Sequence, residues 1–177
     1  MKPVQAPYPL TRFRRKRRST ALRDLTRENS LSVNDLIWPI FVRDGENIRE
    51  PIASMPGVDR FSIDQALYAA EQACALGIPV LCLFPYTDPA LKTLLCEEAW
   101  SADNLSNRAT RAIKARFPDL AIMTDVALDP YNINGHDGYV VDGKILNDKT
   151  VEALVKMTLA QAEAGADIIG PSDMMDG

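Results

Sequence analysis

The sequence predicts an α/β fold built on a parallel sheet. Three observations predict it. Four short apolar runs recur along residues 36–177, the stretches between them carry helical spacing of apolar residues, and Gly or Pro punctuates nearly every junction. Strands alternating with helices of about 12–15 residues mean βαβ units, whose crossovers place the strands parallel. The 177 residues, 46% apolar and 25% charged, suffice for a sizeable core and exclude collagen, whole-chain disorder and disulfide miniproteins.

The elements follow in order. Residues 1–35 are predicted as an extended basic arm holding the early prolines Pro3, Pro7 and Pro9, then Arg12-Phe-Arg-Arg-Lys-Arg-Arg18, then a short helix over Ala21–Arg27 beginning at Ser19 or Thr20. Residues 36–177 form the body. Leu36–Val42 is the first buried strand. Ser62 or Asp64 caps a helix with Ile63, Leu67, Ala70 and Cys74 on its apolar side, ended by Gly77 and Pro79. Pro79–Pro85 is the second strand. Asp103 opens a helix with Leu105, Ala109, Ile113 and Arg116 along one side, and Leu120–Ala127 is the third strand. Asp148 or Thr150 starts a helix aligning Val151, Val155, Leu159 and Ala162, which Gly165 ends, and Asp167–Ser172 is the fourth strand. Apolar character throughout these strands suits burial on both faces. Four such units are half of an eight-stranded (β/α)8 barrel, with an open four-stranded layer as the other arrangement. Nucleotide-binding glycine fingerprints are missing.

Charge divides the chain in the same place. Net charge is −4, yet residues 1–30 carry nine Lys/Arg against two Asp/Glu, a balance of +7, and the rest balances at −11. A basic arm of this kind binds phosphates on nucleic acid or an anionic membrane, or grips the acidic surface of a sister subunit. Cys74, Cys82 and Cys96 read as reduced thiols of a cytoplasmic chain. No apolar run reaches the roughly 18–20 residues of a membrane span, and the N-terminus lacks the apolar segment of a secretory signal.

The chemistry concentrates in Thr124–Gly138. Residues two apart on a strand share a face, so Asp125, Ala127 and Asp129 point together at the C-terminal end of the third strand, where barrels assemble their sites. A Gly-rich loop returns Asp137. Three carboxylates so placed attract a hard cation or raise one another's pKa; alternatively, Asp129 and Asp137 cap turns around Pro130 and the glycines. The loop does not fit an EF-hand, which would need ligands at Pro130 and Val141, and His136 without thiolates does not make a zinc site. His136, set between Gly135 and Asp137, reads as a loop hydrogen-bonder.

Five blocks in order, Pro51-Ile-Ala-Ser-Met-Pro-Gly57, Asp125–Gly138, Gly143-Lys-Ile-Leu-Asn-Asp148, Ala162-Glu-Ala-Gly-Ala-Asp167 and Pro171-Ser-Asp-Met-Met-Asp-Gly177, resemble the porphobilinogen synthase (delta-aminolevulinic acid dehydratase) family from about residue 8 onward. The resemblance implies a TIM barrel, of which this chain is the N-terminal half, with an arm wrapping a neighbour in a homo-oligomer, an octamer in the family. It implies a lyase that condenses two 5-aminolevulinate molecules into porphobilinogen with loss of two waters, in heme and other tetrapyrrole biosynthesis. Nucleic-acid and membrane partners are not expected on this reading; the alternatives are a structural or metal-binding barrel fragment, or a nucleic-acid binder acting through Arg12–Arg18. Zinc-dependent members carry Cys where Ala127, Asp129 and Asp137 stand here. The chain resembles the aspartate-rich branch, which implies magnesium or potassium and no zinc. Asp125, Asp129, Asp137 and Ser172 are the implied binding residues for the second substrate molecule, Ser172 having a helix N-cap as its structural alternative. Asn134 stands where many members have His. The family's Schiff-base lysines lie beyond the last block, none of the seven lysines here matches them, and the chain alone is expected to be inactive. Lys144, Lys149 and Lys156 are expected to be solvated.

Overall fold

The computed structural model describes residues 6–177; Lys2 and Pro3 of the arm lie outside them. The backbone separates into two units, divided between Ser32 and Val33. In the first, a 3-10 turn over Phe13–Arg17 precedes helix α1, Thr20–Leu25, whose first turn is capped where Ser19 Oγ accepts from Leu22 N at 3.2 Å. Neither segment buries a residue.

The second unit is a six-stranded sheet. Strand β1 is Ile37–Arg43, β2 is Arg49–Pro51 and β3 is Asp59–Phe61. Strands β4, Val80–Tyr86, and β5, Ala121–Val126, come next; after a two-stranded ribbon of β6, Val140–Val141, and β7, Lys144–Ile145, the last strand is β8, Ile168–Pro171. The spatial order is β2-β3-β1-β4-β5-β8, and β1, β4, β5 and β8 run parallel as neighbours. These are the four predicted strands, connected by three helices. The β2–β3 pair, which no apolar run announced, covers part of β1's outer edge.

Burial corrects the two-faced expectation. Along β5 it alternates half-buried and buried, with Ile122, Thr124 and Val126 turned to the helices and Met123 and Asp125 to the other face. The first core cluster sets Ile40, Val42, Leu81, Leu83 and Ile122 of the sheet against Ala66, Ala70 and Ala73 of helix α2, Ile63–Leu76, and Ala109 and Ile113 of helix α3, Leu105–Arg116. The second gathers Val126, Leu128 and Tyr131 with Ala153, Leu154 and Met157 of helix α4, Asn147–Glu163.

Three helix details differ from expectation. In α2 the inward stripe is alanine, Ala66, Ala69, Ala70 and Ala73, with Ile63 and Leu67 at its margin, whereas Cys74 is exposed. Ser62 sits at the N-cap position without capping, because its Oγ accepts from Ile48 N at 2.9 Å, and Asp64 accepts from Asn47 N at 3.0 Å; both side chains hold the loop after β1. The helix ends as predicted at left-handed Gly77 (φ 74°), with Ile78 N donating to Ala73 O at 2.9 Å.

In α3 the cap is Asn104 rather than Asp103. Its Oδ1 accepts from Asn107 N at 2.8 Å, while Nδ2 donates to Ala99 O at 3.0 Å and Glu98 O at 3.2 Å. Asp103 is instead drawn out to Arg111, 2.7 Å away. Leu105, Ala109 and Ile113 are buried, but Arg116 lies outside, over the Phe117 ring.

In α4 the buried stripe is Thr150, Ala153, Leu154, Met157 and Gln161, one position round from the predicted one. Val155 and Leu159 are more than half exposed. Thr150 lies inside the first turn, donating to Leu146 O at 2.9 Å and accepting from Tyr139 N at 3.0 Å.

Candidate active site

One register row crosses the sheet near its C-terminal edge. Phe41 of β1 pairs with Phe84 of β4, the β4–β5 register brings Phe84 beside Asp125, and Asp125 pairs with Gly170 of β8. Phe41 and Phe84 stack with ring centroids 5.5 Å apart. At Gly170 a Cβ would stand 2.5 Å from Met123 Cε, so the absent side chain makes room for Met123 of β5.

Above this row a cavity opens, and all the predicted site residues line it: Asp125, Ala127, Asp129, Asp137 and Ser172. Asp125 reaches this wall from β5, Asp129 from the turn just beyond the strand's end at Val126, and the loop returns Asp137. The loop is braced from both ends. Thr93 N donates to Tyr131 O and Ile133 N to Thr93 O, each at 3.1 Å, which ties the segment after β4 to the segment after β5. Asn134 N bonds Asn132 Oδ1 at 2.8 Å, and Gly138 N bonds His136 Nδ1 at 2.9 Å, the loop role expected of that histidine. Ser172 N donates to Val126 O at 3.1 Å as the last rung of the β5–β8 ladder. The Ser172 side chain is exposed on the cavity wall.

The cluster is electrostatically coupled. Burial, and then the neighbouring Asp129 and Asp137 charges, push the Asp125 carboxyl up to about 6. Asp129 is raised by burial and by Asp137, and held back by a main-chain hydrogen bond and the Lys92 ammonium. Among the described residues no three His, Cys, Asp or Glu side chains converge as a metal-holding set. The Asp129 and Asp137 charges thus lift Asp125, and Asp137 lifts Asp129, without the three side chains converging on one point. Burial lifts the Cys82 and Cys96 thiols to about 11, far from the thiolate form.

Two cations of the cavity went unnoticed in the sequence. Lys92 follows β4, and Arg60 comes from the three-residue β3, its guanidinium 4.6 Å from the Tyr86 ring centre and 3.4 Å from Glu50. Arg60's strand is too short to show a period, though Tyr86 and Phe84 stand two apart at the end of a strand that was recognised. Lys114 is engaged elsewhere, with Pro118 O at 2.8 Å and Asp167 at 3.0 Å, and Lys149 pairs with Glu152 at 3.2 Å. Lys156, expected in free solvent, lies 5.3 Å from the centre of the Trp100 ring.

The family model for delta-aminolevulinic acid dehydratase matches residues 10–177. The chain belongs to this family. Its relatives include the delta-aminolevulinic acid dehydratases of Rhodobacter capsulatus, 59% identical over 98% of this chain and 52% of the relative, and of Bradyrhizobium diazoefficiens, 56% identical over 94% and 47%. A solved Toxoplasma gondii dehydratase, described in complex with the reaction product porphobilinogen, superposes with a TM-score of 0.91 at 46% identity, covering 99% of this chain and 49% of that one. The chain thus spans about half the length of the relatives it matches, and its parallel sheet with outer helices is part of a TIM barrel. Among its described residues no helix is long and apolar enough to cross a membrane.

Proposed function

We propose that this chain supplies the aspartate-lined half of a porphobilinogen synthase site, a lyase joining two 5-aminolevulinate molecules into porphobilinogen with loss of two waters, a step of heme and tetrapyrrole synthesis. One observation carries the proposal: three aspartates and Ser172 line one cavity, and the innermost carboxyl is raised to about 6. A substrate amine enters at neutral pH as an ammonium, which Asp129 and Asp137 attract. It must lose a proton before its nitrogen attacks a ketone. A carboxylate near pH 6 accepts that proton better than an ordinary one, because its basicity lies close to the operating pH. Ser172 completes the wall, and Phe41 and Phe84 give it an apolar floor.

The ketone partner is activated in this chemistry by a lysine imine, which needs an amine free to attack. Lys92 is the lysine on the cavity wall, and it is set against Asp129. We therefore assign the imine to a lysine in the part of the barrel that the relatives have and this chain does not span, and expect this chain alone to be inactive. The cation reading stays with magnesium or potassium, by donor chemistry, since oxygen donors without thiolates disfavour zinc. No step runs through a cation, because the carboxylates do not converge on one. We further propose a homo-oligomer joined through the basic arm, whose +7 balance complements the −11 of the body, and a cytoplasmic location, consistent with three free cysteines.

The test is intact mass after treatment with 5-aminolevulinate and borohydride. The 19.6 kDa chain is expected to carry no reduced adduct, while 5-aminolevulinate still binds reversibly, and less tightly after Asp129→Ala. An adduct on Lys92, or porphobilinogen formed by this chain, overturns the division of labour. Absence of any 5-aminolevulinate binding overturns the substrate assignment. Calorimetry with magnesium chloride, with Asp129→Ala and Asp137→Ala as controls, tests the cation.

A further inference from the structure

The strand that carries Asp125 has a gap in its ladder. Ala121 N donates to Pro79 O at 3.1 Å, and the β4–β5 register runs from Val80↔Ala121 to Leu83↔Thr124. In a parallel pair every second residue bonds the same neighbour, donating to the residue before its partner and accepting from the residue after it. Continued, this rule assigns the Asp125 carbonyl to the main-chain nitrogen of Pro85. Proline has no N–H to give. The carbonyl is nevertheless satisfied, since Gln161 Nε2 donates to it at 2.8 Å. The same side chain accepts from Thr124 Oγ1 at 2.9 Å through Oε1. Gln161 is 1% exposed and Thr124 fully buried, so no solvent competes for either bond.

We propose that Gln161 is a positioning residue for the aspartate cluster: its side-chain amide replaces the ladder bond that Pro85 withholds and sets the peptide from which the Asp125 carboxyl projects. The arrangement lets proline stand on the cavity wall at the end of β4 without leaving β5 loose at its working end. It also couples α4 to the site, although α4 contributes no residue to the cavity lining. This deepens the functional proposal and rests on Asp125 binding substrate.

The experiment compares the full native chain with Gln161→Met, which keeps length and volume, and with Gln161→Met/Pro85→Ala, which restores a main-chain donor opposite Asp125. Two readouts apply: the carbonyl carbon resonance of Asp125 by NMR, and 5-aminolevulinate affinity by calorimetry. Gln161→Met is expected to move the Asp125 carbonyl resonance upfield and to weaken 5-aminolevulinate binding on the order of tenfold, the scale set by leaving one buried polar group unpaired. The double variant is expected to recover most of both. An unchanged carbonyl resonance in Gln161→Met, or a double variant no better than the single, overturns the proposal. Should Gln161→Met not fold, Gln161→Leu, which also lacks the donor, serves with the same rescue and the same two outcomes. If the native chain binds no 5-aminolevulinate, the functional proposal fails, while the resonance and its rescue still decide the role of Gln161.

Discussion

Replacing Asp125 by Asn tests the electrostatics of the site through stability. The carboxyl sits at about 6 in the folded chain, against an ordinary 3.8, with burial first and Asp129 and Asp137 next as causes. The folded state therefore holds the proton more tightly than the unfolded state. Below pH 4 the group is protonated in both states and costs nothing. Between pH 4 and 6 the folded chain keeps a proton that the unfolded chain releases, so stability falls as pH rises, and above pH 6 the whole cost is present. A shift from 3.8 to about 6 corresponds to ~3 kcal/mol in full, and because the carboxyl is partly open to water roughly half of that survives screening. Asn keeps the shape and removes the charge. Urea unfolding of the variant at pH 7.5 is thus expected to show about 1.5 kcal/mol more stability than the native chain, a midpoint roughly 0.7 M higher for a slope near 2 kcal/mol/M. At pH 3, well below the unfolded value of 3.8, the two midpoints should coincide. The difference between the chains cancels all groups common to both, leaving Asp125 and its influence on Asp129. Equal differences at both pH values, or a native chain more stable than the variant at pH 7.5, would refute the reasoning. The expected price of the added stability is lost 5-aminolevulinate binding, the usual conflict between a charged site and a stable fold.

Other substitutions probe the scaffold and the second carboxylate. Asn104→Ala removes the α3 cap and takes the side-chain donor from the Ala99 carbonyl, while Glu98 O keeps Ser101 N; a loss of about 2 kcal/mol is expected in chemical denaturation. Gly77→Ala forces a β-carbon into the left-handed conformation that ends α2 and should cost about 1 kcal/mol by the same assay. Lys92→Met withdraws the cation that restrains Asp129, so the Asp129 carboxyl should titrate at higher pH, followed by NMR; an unmoved titration would remove Lys92 from the electrostatics of the site.

The strands were legible because apolar runs bounded by Gly and Pro have few other uses, and Asp125 was legible because a two-residue period does not depend on anything distant; Asp129 reaches the same cavity from a turn past the end of β5, where that period no longer holds. Asp137 was legible only as a loop acid between glycines. Lys92 and Arg60 were not, since a charged residue in a loop or a three-residue strand carries no periodic signal, and only the fold brings them to the cavity. The α4 stripe was misplaced because that helix is apolar on two sides: Ala153, Leu154 and Met157 face the core while Val155 and Leu159 satisfy the same spacing outside. Asp103 read as the cap of α3, but Arg111 draws it away and its neighbour Asn104 takes the position. Gln161 lay beyond reach, because its role follows from which carbonyl a proline leaves without a donor.

The two core clusters share only strand β5, which gives Ile122 to the first and Val126 to the second. The strand works as a beam with one end set in each block. Its far end is clamped by Ile122 N donating to Asp167 at 2.8 Å, and its near end, with the carboxylates, hangs on α4, Leu128 and Tyr131. Motion that loosens the α4 block reaches the aspartates directly and leaves the α2–α3 block standing. Slow amide exchange should therefore persist at Ile122 while Val126 and its neighbours exchange together with α4, so the site's order is that of its own local block, separable from the order of the chain.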